Sequence, residues 1–166
     1  MKTIALVLQL ALFTLPAQAA HYGETYKADL GSFTVHGSFS KKSCSAQATL
    51  RSVRGARVGF AIYWRVGRSL HLLTTHPDNA RVSGQQNMQF RFADGQAVAF
   101  VTRRNGAQLE TNIGFGNAAN RFYEMIAANP SLRIELPAIG DAVDVSLADR
   151  ERILQAMFYC RDEFLH

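Results

Sequence analysis

Two cysteines, a scatter of histidines and a run of arginines are the residues here whose chemistry depends most on where they sit. Cys44 and Cys160 are the only cysteines. They lack the Cys-x-x-Cys spacing and clear His partner of a zinc site, and the close spacing of a redox dithiol. In an oxidising compartment such a pair reads first as one structural disulfide, with a metal pair or two free thiols as the alternatives. The ring it closes is long, and loop entropy puts its contribution at roughly 4–5 kcal/mol.

His71, His76 and Asp78 are the nearest approach to a metal or acid–base cluster. Their spacing crosses a strand end rather than following one helix face, and no fourth ligand stands beside them, so zinc is not supported. His76 before Pro77-Asp78 reads as a turn residue, with Asp78 accepting backbone hydrogen bonds. Glu110, Glu124 and Glu135 have the chemistry of an acid–base pair, but each sits where a solvent-facing carboxylate is expected. No Gly-x-Ser-x-Gly stretch is present. Gly114-Phe115-Gly116-Asn117-Ala118-Ala119 matches the letter of a dinucleotide fingerprint, yet no parallel βαβ unit or ribose-binding acid surrounds it. A tight strand-to-helix turn explains those glycines. No cofactor and no metal are expected, and no residue is singled out as catalytic.

Binding chemistry is better represented. In Ile62-Tyr63-Trp64-Arg65 strand alternation sends Tyr63 and Arg65 to one face and Ile62 and Trp64 to the other. Trp64 reads as core. Tyr63, Arg65 and nearby Arg68 then form an aromatic–basic patch of residue types enriched at interaction hot spots. Arg103 and Arg104, at a later turn, are further binding candidates. The four arginines belong to a charge bias: residues 41–104 hold eleven Lys and Arg against only Asp78 and Asp94. Residues 105–166 hold five Arg against nine Asp and Glu. A basic region can meet anionic lipid headgroups, lipopolysaccharide phosphates, an acidic protein or nucleic acid. The plainer reading is a set of solvated strand faces partly paired with the acidic C-terminal helix.

The elements that must position these residues are mostly strands. Ser32–Ser40 alternates Phe33, Val35 and, past the weak position Gly37, Phe39. Ser45–Val53, Arg57–Val66 and Ser69–Thr75 follow, the last two as a hairpin. Asn87–Phe92, Ala97–Thr102 and Gln108–Ile113 form an antiparallel meander, joined by a type I′ signal at Asp94-Gly95 and a second tight turn at Asn105-Gly106. Asn117–Asn129 is a helix with Ala119, Phe122, Tyr123 and Ile126 on one stripe and Pro130 past its end. Short strands at Leu132–Leu136 and Ala142–Val145 flank a Gly140-Asp141 turn. Ser146, with Asp149 three residues on, marks the start of a last helix to Phe164. Its buried face is Ile153, Met157, Cys160 and Phe164, which aims Cys160 at the core as a lid pinned over the sheet.

Location comes from the first residues. Lys2, the apolar run Ile4–Leu15 and the small residues Ala17 and Ala19 have the form of a bacterial secretory signal, cleaved after Ala19 or Ala20. The run is too short to span a membrane, no later segment is long and apolar enough, and no cysteine at the cleavage site offers a lipid anchor. The expected organisation is a signal peptide over residues 1–19 and a single β-rich domain over 20–166. Export makes nucleic acid the weakest of the partners.

GSFTVHGSFSKKSC near the start, the LRIELP strand, the VSL segment and a helix closing on ILQAMFYC resemble the invasion-associated locus B type of small exported proteobacterial proteins. The chain departs from that group in carrying Phe33 where its first strand commonly has Trp, and in having fewer cysteines. The resemblance implies an immunoglobulin-like β-sandwich and a non-enzymatic role at the cell envelope or in host interaction. The expectation is therefore a mainly β, antiparallel sandwich with a short helix and a C-terminal helix tied on by Cys44–Cys160. Its function is expected to be that of a periplasmic or secreted binding protein, whose partner is an envelope or host protein or an anionic envelope component. The rival is a small periplasmic hydrolase or an enzyme inhibitor, which a convergent pocket around His71, His76 and Asp78 would favour.

Overall fold

A computed structural model describes residues 20–22, 25–65 and 69–164. The leader expected over residues 1–19 and the candidate Arg68 lie outside the described residues. Eleven strands follow one another in hydrogen-bonded order β1-β2-β3-β4-β5-β6-β9-β8-β7-β10-β11, each ladder antiparallel. They are β1 (Ala20–Tyr22), β2 (Thr25–Leu30), β3 (Phe33–Ser38), β4 (Ser43–Arg51), β5 (Arg57–Trp64), β6 (Leu70–Thr75), β7 (Gln86–Phe92), β8 (Ala97–Asn105), β9 (Gln108–Gly114), β10 (Ser131–Leu136) and β11 (Asp141–Ser146). Helix α1 (Asn117–Ala128) links β9 to β10, and α2 (Arg150–Phe164) closes the chain.

Strand β8 divides its pairing. Gln86–Arg91 of β7 pair with Ala97–Thr102, whereas Arg103–Asn105 pair with β9. One long strand thereby joins a first run, β1–β6 with β9, to a second, β7, β8, β10 and β11. The buried faces of the two runs meet: Phe60 of β5 and Phe90 of β7, both fully buried, have ring centroids 6.2 Å apart. Around them pack Phe33 from β3 and Phe122 from α1. Aromatic pairs at this spacing add about 0.5–1.5 kcal/mol each beyond the area they bury.

Both helices obey their sequence periodicity. Ala119, Phe122, Tyr123 and Ile126 are the buried stripe of α1, and Ile153, Met157, Cys160 and Phe164 are buried along α2. Cys160 bonds Cys44 across 116 positions of sequence, tying α2 over β2, β3 and β4. Gly37 is the β3 partner of Cys44, and a β-carbon there would collide with Cys160 Sγ and press on Phe164 and Tyr26. The weak position in the β3 pattern is thus a space the disulfide occupies. Trp64 is core, as expected, donating its indole N–H to the Tyr123 hydroxyl.

Several local expectations shift. Phe39 does not continue the buried face of β3: the strand ends at Ser38, and Phe39 stands 52% exposed in the turn to β4. The Asp94-Gly95 turn closes with Gly95 N–H on the Phe92 carbonyl and Phe92 N–H on the Gln96 carbonyl. That loop is longer than a two-residue type I′ turn. Ser146 caps a turn, accepting the Ala148 N–H, and α2 starts four residues later behind Asp149, whose carbonyl takes the Ile153 N–H. Strand β2 was not expected at all.

Candidate functional site

Strand alternation decides what faces outward from the first run. Ladder register aligns Thr34, Gln47, Ala61, Leu73, Glu110 and Arg103 in one row across β3, β4, β5, β6, β9 and β8. A neighbouring row holds His36, Ser45, Tyr63, His71 and Asn112. Directly opposed residues of an antiparallel pair share a face, so these two rows form one outer surface. Small side chains at its centre, Gly59 and Ala61, leave a shallow trough between bulkier neighbours. Two hollows, of about 480 and 590 Å³, share Gln47, Ala61 and Leu73 and so run together. The larger is bounded by Lys41, Tyr63 and Arg65.

The same alternation gathers arginines. Arg51 and Arg57 are direct partners across β4 and β5 on this face, both exposed. Arg65 reaches over the Tyr63 ring, its guanidinium carbon 5.3 Å from the centroid. Arg103 stands opposite Glu110. Like charges directly opposed weaken a sheet, and Arg51 turns part of its guanidinium to the β4–β5 turn, donating to the Gly55 carbonyl at 3.3 Å. Asp149–Arg152 and Arg161–Asp162 are ion pairs within the C-terminal helix and the turn before it, while Arg81 and Arg91 pair with Asp78 and Glu135.

At one end of the trough stands a compact polar group. His71 Nδ1 lies 3.0 Å from Glu110 Oε1, and its Nε2 lies 2.9 Å from Ser69 Oγ. The Tyr63 hydroxyl donates to the same Glu110 oxygen. The Tyr63 and His71 rings stack at 5.0 Å with planes 18° apart. Burial raises the Glu110 carboxyl, but the Tyr63 hydrogen bond, the Arg65 charge and His71 outweigh it and hold the group below its ordinary value. Burial first, and then Glu110, push the Tyr63 phenol well above its usual range.

The expected candidates separate. Tyr63, Arg65 and Arg103 belong to the outer face. Arg104 pairs with Leu109, whose side chain is in the core, and its guanidinium hydrogen-bonds the Ala80 carbonyl at 3.3 Å, away from the trough. His71, His76 and Asp78 do not converge. His76 is fully buried, with Nε2 3.0 Å from Asp141 Oδ2 and Nδ1 accepting the Asp78 backbone N–H. The Asp78 carboxylate turns away to Arg81. Glu135 pairs with Arg91 and Glu124 is exposed on α1, so the three glutamates do not converge either. The Gly114–Gly116 segment is a strand-to-helix turn with both glycines at positive φ, among antiparallel strands. Ser69 was missed. The one signal for it was its position two residues before His71, and Glu110 joins the pair only through the β6–β9 register.

No family model matches this chain, and neither a curated protein nor a solved structure is significantly similar to it. No group of three or more candidate metal ligands occurs among the described residues, and no helix among them is long and apolar enough to cross a membrane.

Proposed function

We propose that this is an exported binding protein of the bacterial cell envelope, periplasmic or secreted, that holds an anionic partner against the outer face of its first run of strands. The observation that carries the reading is the gathering of Arg51, Arg57, Arg65 and Arg103 on one face around a trough floored by Gly59 and Ala61. Arg51, Arg57, Arg65 and Arg103, with Lys27 and Lys41, outnumber the acids Asp29 and Glu110 on this face, and such an excess raises the local concentration of anions and speeds encounter with them. The partner class is an acidic surface of an envelope or host protein, or an anionic envelope component such as a lipopolysaccharide phosphate. The Met1–Ala19 leader pattern and the Cys44–Cys160 disulfide both favour an oxidising, exported setting. The resemblance to the invasion-associated locus B group points the same way. We also infer that the two runs are layers of an immunoglobulin-like sandwich, supported by the split pairing of β8 and the Phe60–Phe90 contact between them.

Crosslinking in intact cells, followed by mass spectrometry, tests the reading. A reproducible partner should be captured by the wild type and lost in an Arg57→Glu, Arg65→Glu, Arg103→Glu variant. The same partner captured equally by that variant would place binding elsewhere.

A further inference from the structure

We infer that Ser69 is a nucleophile, activated by His71 and Glu110, for hydrolysis of esters that carry an anionic group. Nucleophilic serines need a base within hydrogen-bond reach and a third group that orients the base. Here Ser69 Oγ is 2.9 Å from His71 Nε2, and His71 Nδ1 is 3.0 Å from Glu110 Oε1. The carboxylate can only accept, so Nδ1 carries the ring proton. Nε2 is then a lone pair facing the hydroxyl, the tautomer a general base requires. Ser69 stands just before β6 and His71 is its second residue, and Glu110 reaches them from β9, where it opposes Leu73.

The surroundings hold that order in place. Tyr63 stacks on the imidazole and donates to Glu110, fixing both base and carboxylate. His71 is buried and Ser69 half-buried; the Ser69 carbonyl accepts the N–H of Arg65, which with Lys41 bounds the 590 Å³ hollow and selects an anionic substrate. His76 shows what is missing from a purely structural pair: its second nitrogen is closed by the Asp78 backbone N–H.

In the first step Ser69 Oγ bonds to the ester carbonyl carbon and its proton passes to His71 Nε2. The bond to the alcohol then breaks, and the alcohol leaves with that proton. Water adds to the acyl-serine, giving its proton to His71, and the acid is released as the proton returns to Ser69. Water is the only co-reactant. Glu110 is a positioning residue throughout.

This inference rests on the binding-face reading only for the charge of the substrate. The test is an uncharged alkyl fluorophosphonate, which forms an Oγ–P bond with loss of HF, read by peptide mass spectrometry on the full mature chain. One adduct should form, at Ser69, and none in Ser69→Ala. His71→Gln should slow labelling at least about 100-fold, the lower end of what a positioned base supplies. Glu110→Gln should slow it at least about tenfold, since the carboxylate orients the base rather than reacting itself, with Ser69→Ala confirming the site at an unchanged melting temperature. Absence of a Ser69 adduct in folded wild type, labelling of Ser43 or Ser45 at the same rate, or an unaltered rate in His71→Gln would each overturn the inference. Partner capture that persists in Ser69→Ala leaves the binding reading intact, so the two fail separately.

Discussion

Two histidine–carboxylate pairs in this molecule share one geometry and differ in everything around it. His76–Asp141 and His71–Glu110 each span 3.0 Å. The first is sealed: its side chains are 0% and 1% exposed, and Asp141 also takes the Ser52 hydroxyl and the Ala142 and Arg54 N–H groups. It welds the β4–β5 turn, the 3-10 turn Pro77–Arg81 and the start of β11 into one unit. The second borders an open trough, with Glu110 29% exposed, and its free nitrogen meets a hydroxyl. The contrast teaches that such a pair becomes chemistry according to what its second nitrogen faces. A backbone N–H makes a strut, and a serine hydroxyl makes a base.

The largest effect that would sharpen this contrast is on the sealed pair. His76→Ala takes one hydrogen bond from the buried Asp141 carboxylate and leaves a cavity where the imidazole packed, which together should cost about 3–5 kcal/mol. His71→Ala removes a bond from a half-exposed carboxylate and should cost about 1 kcal/mol. Urea unfolding of both variants measures the difference, and equal losses would break the comparison.

A second interior contact gives the next largest effect. Cys160→Ala should cost about 2–5 kcal/mol through loss of the bridge. Gly37→Ala should cost about 1–3 kcal/mol in the wild type, as overpacking does, and clearly less in the Cys160→Ala background, where Sγ is gone. A double-mutant cycle by thermal melting reads this coupling, and additive losses would mean that Sγ does not set the size of residue 37.

The smallest effect is in acid. Burial raises the Asp141 carboxyl, but its hydrogen bonds from Ser52, Ala142, His76 and Arg54 outweigh this and lower it below its ordinary value; Glu110 is lowered too. A carboxyl lowered by folding contributes stability that is complete above its unfolded pKa, about 4, and lost as pH falls through the folded value. Stability should therefore drop as pH falls below about 4, less steeply in Asp141→Asn and in Glu110→Gln than in wild type. Melting curves between neutral and acid pH check the sign, and parallel wild-type and variant curves would show that neither carboxyl is coupled to folding.

Much of the architecture was legible because its signals are local. The stripes of α1 and α2 repeat within two or three turns, and the β5–β6 hairpin and β7–β8–β9 meander join neighbours in sequence. Tyr63 and Arg65 could be placed on one face, and Trp64 in the core, from alternation alone. Strand β2 was not legible, since TYKADL offers only Tyr26, Ala28 and Leu30 as its inward set. The Ser69–His71–Glu110 group was not legible as a unit: β6 and β9 are separated by two further strands, and their register belongs to neither segment alone. For the same reason the arginines looked scattered. Position in the chain spreads Arg51, Arg57, Arg65 and Arg103 over about a third of its length, and register collects them.

The sequence by itself determined the periodicities, the turns, the Cys44–Cys160 pairing expected of an exported chain and the inward aim of Cys160. These follow from short-range sterics, from hydrophobic spacing and from there being only two cysteines to pair. Tertiary structure alone decided which face each row of side chains shares, which histidine is sealed and which is open, and that Ser69 meets His71 beside Glu110. Those outcomes depend on pairing between distant strands, and a one-residue slip in any ladder would send the row to the opposite face.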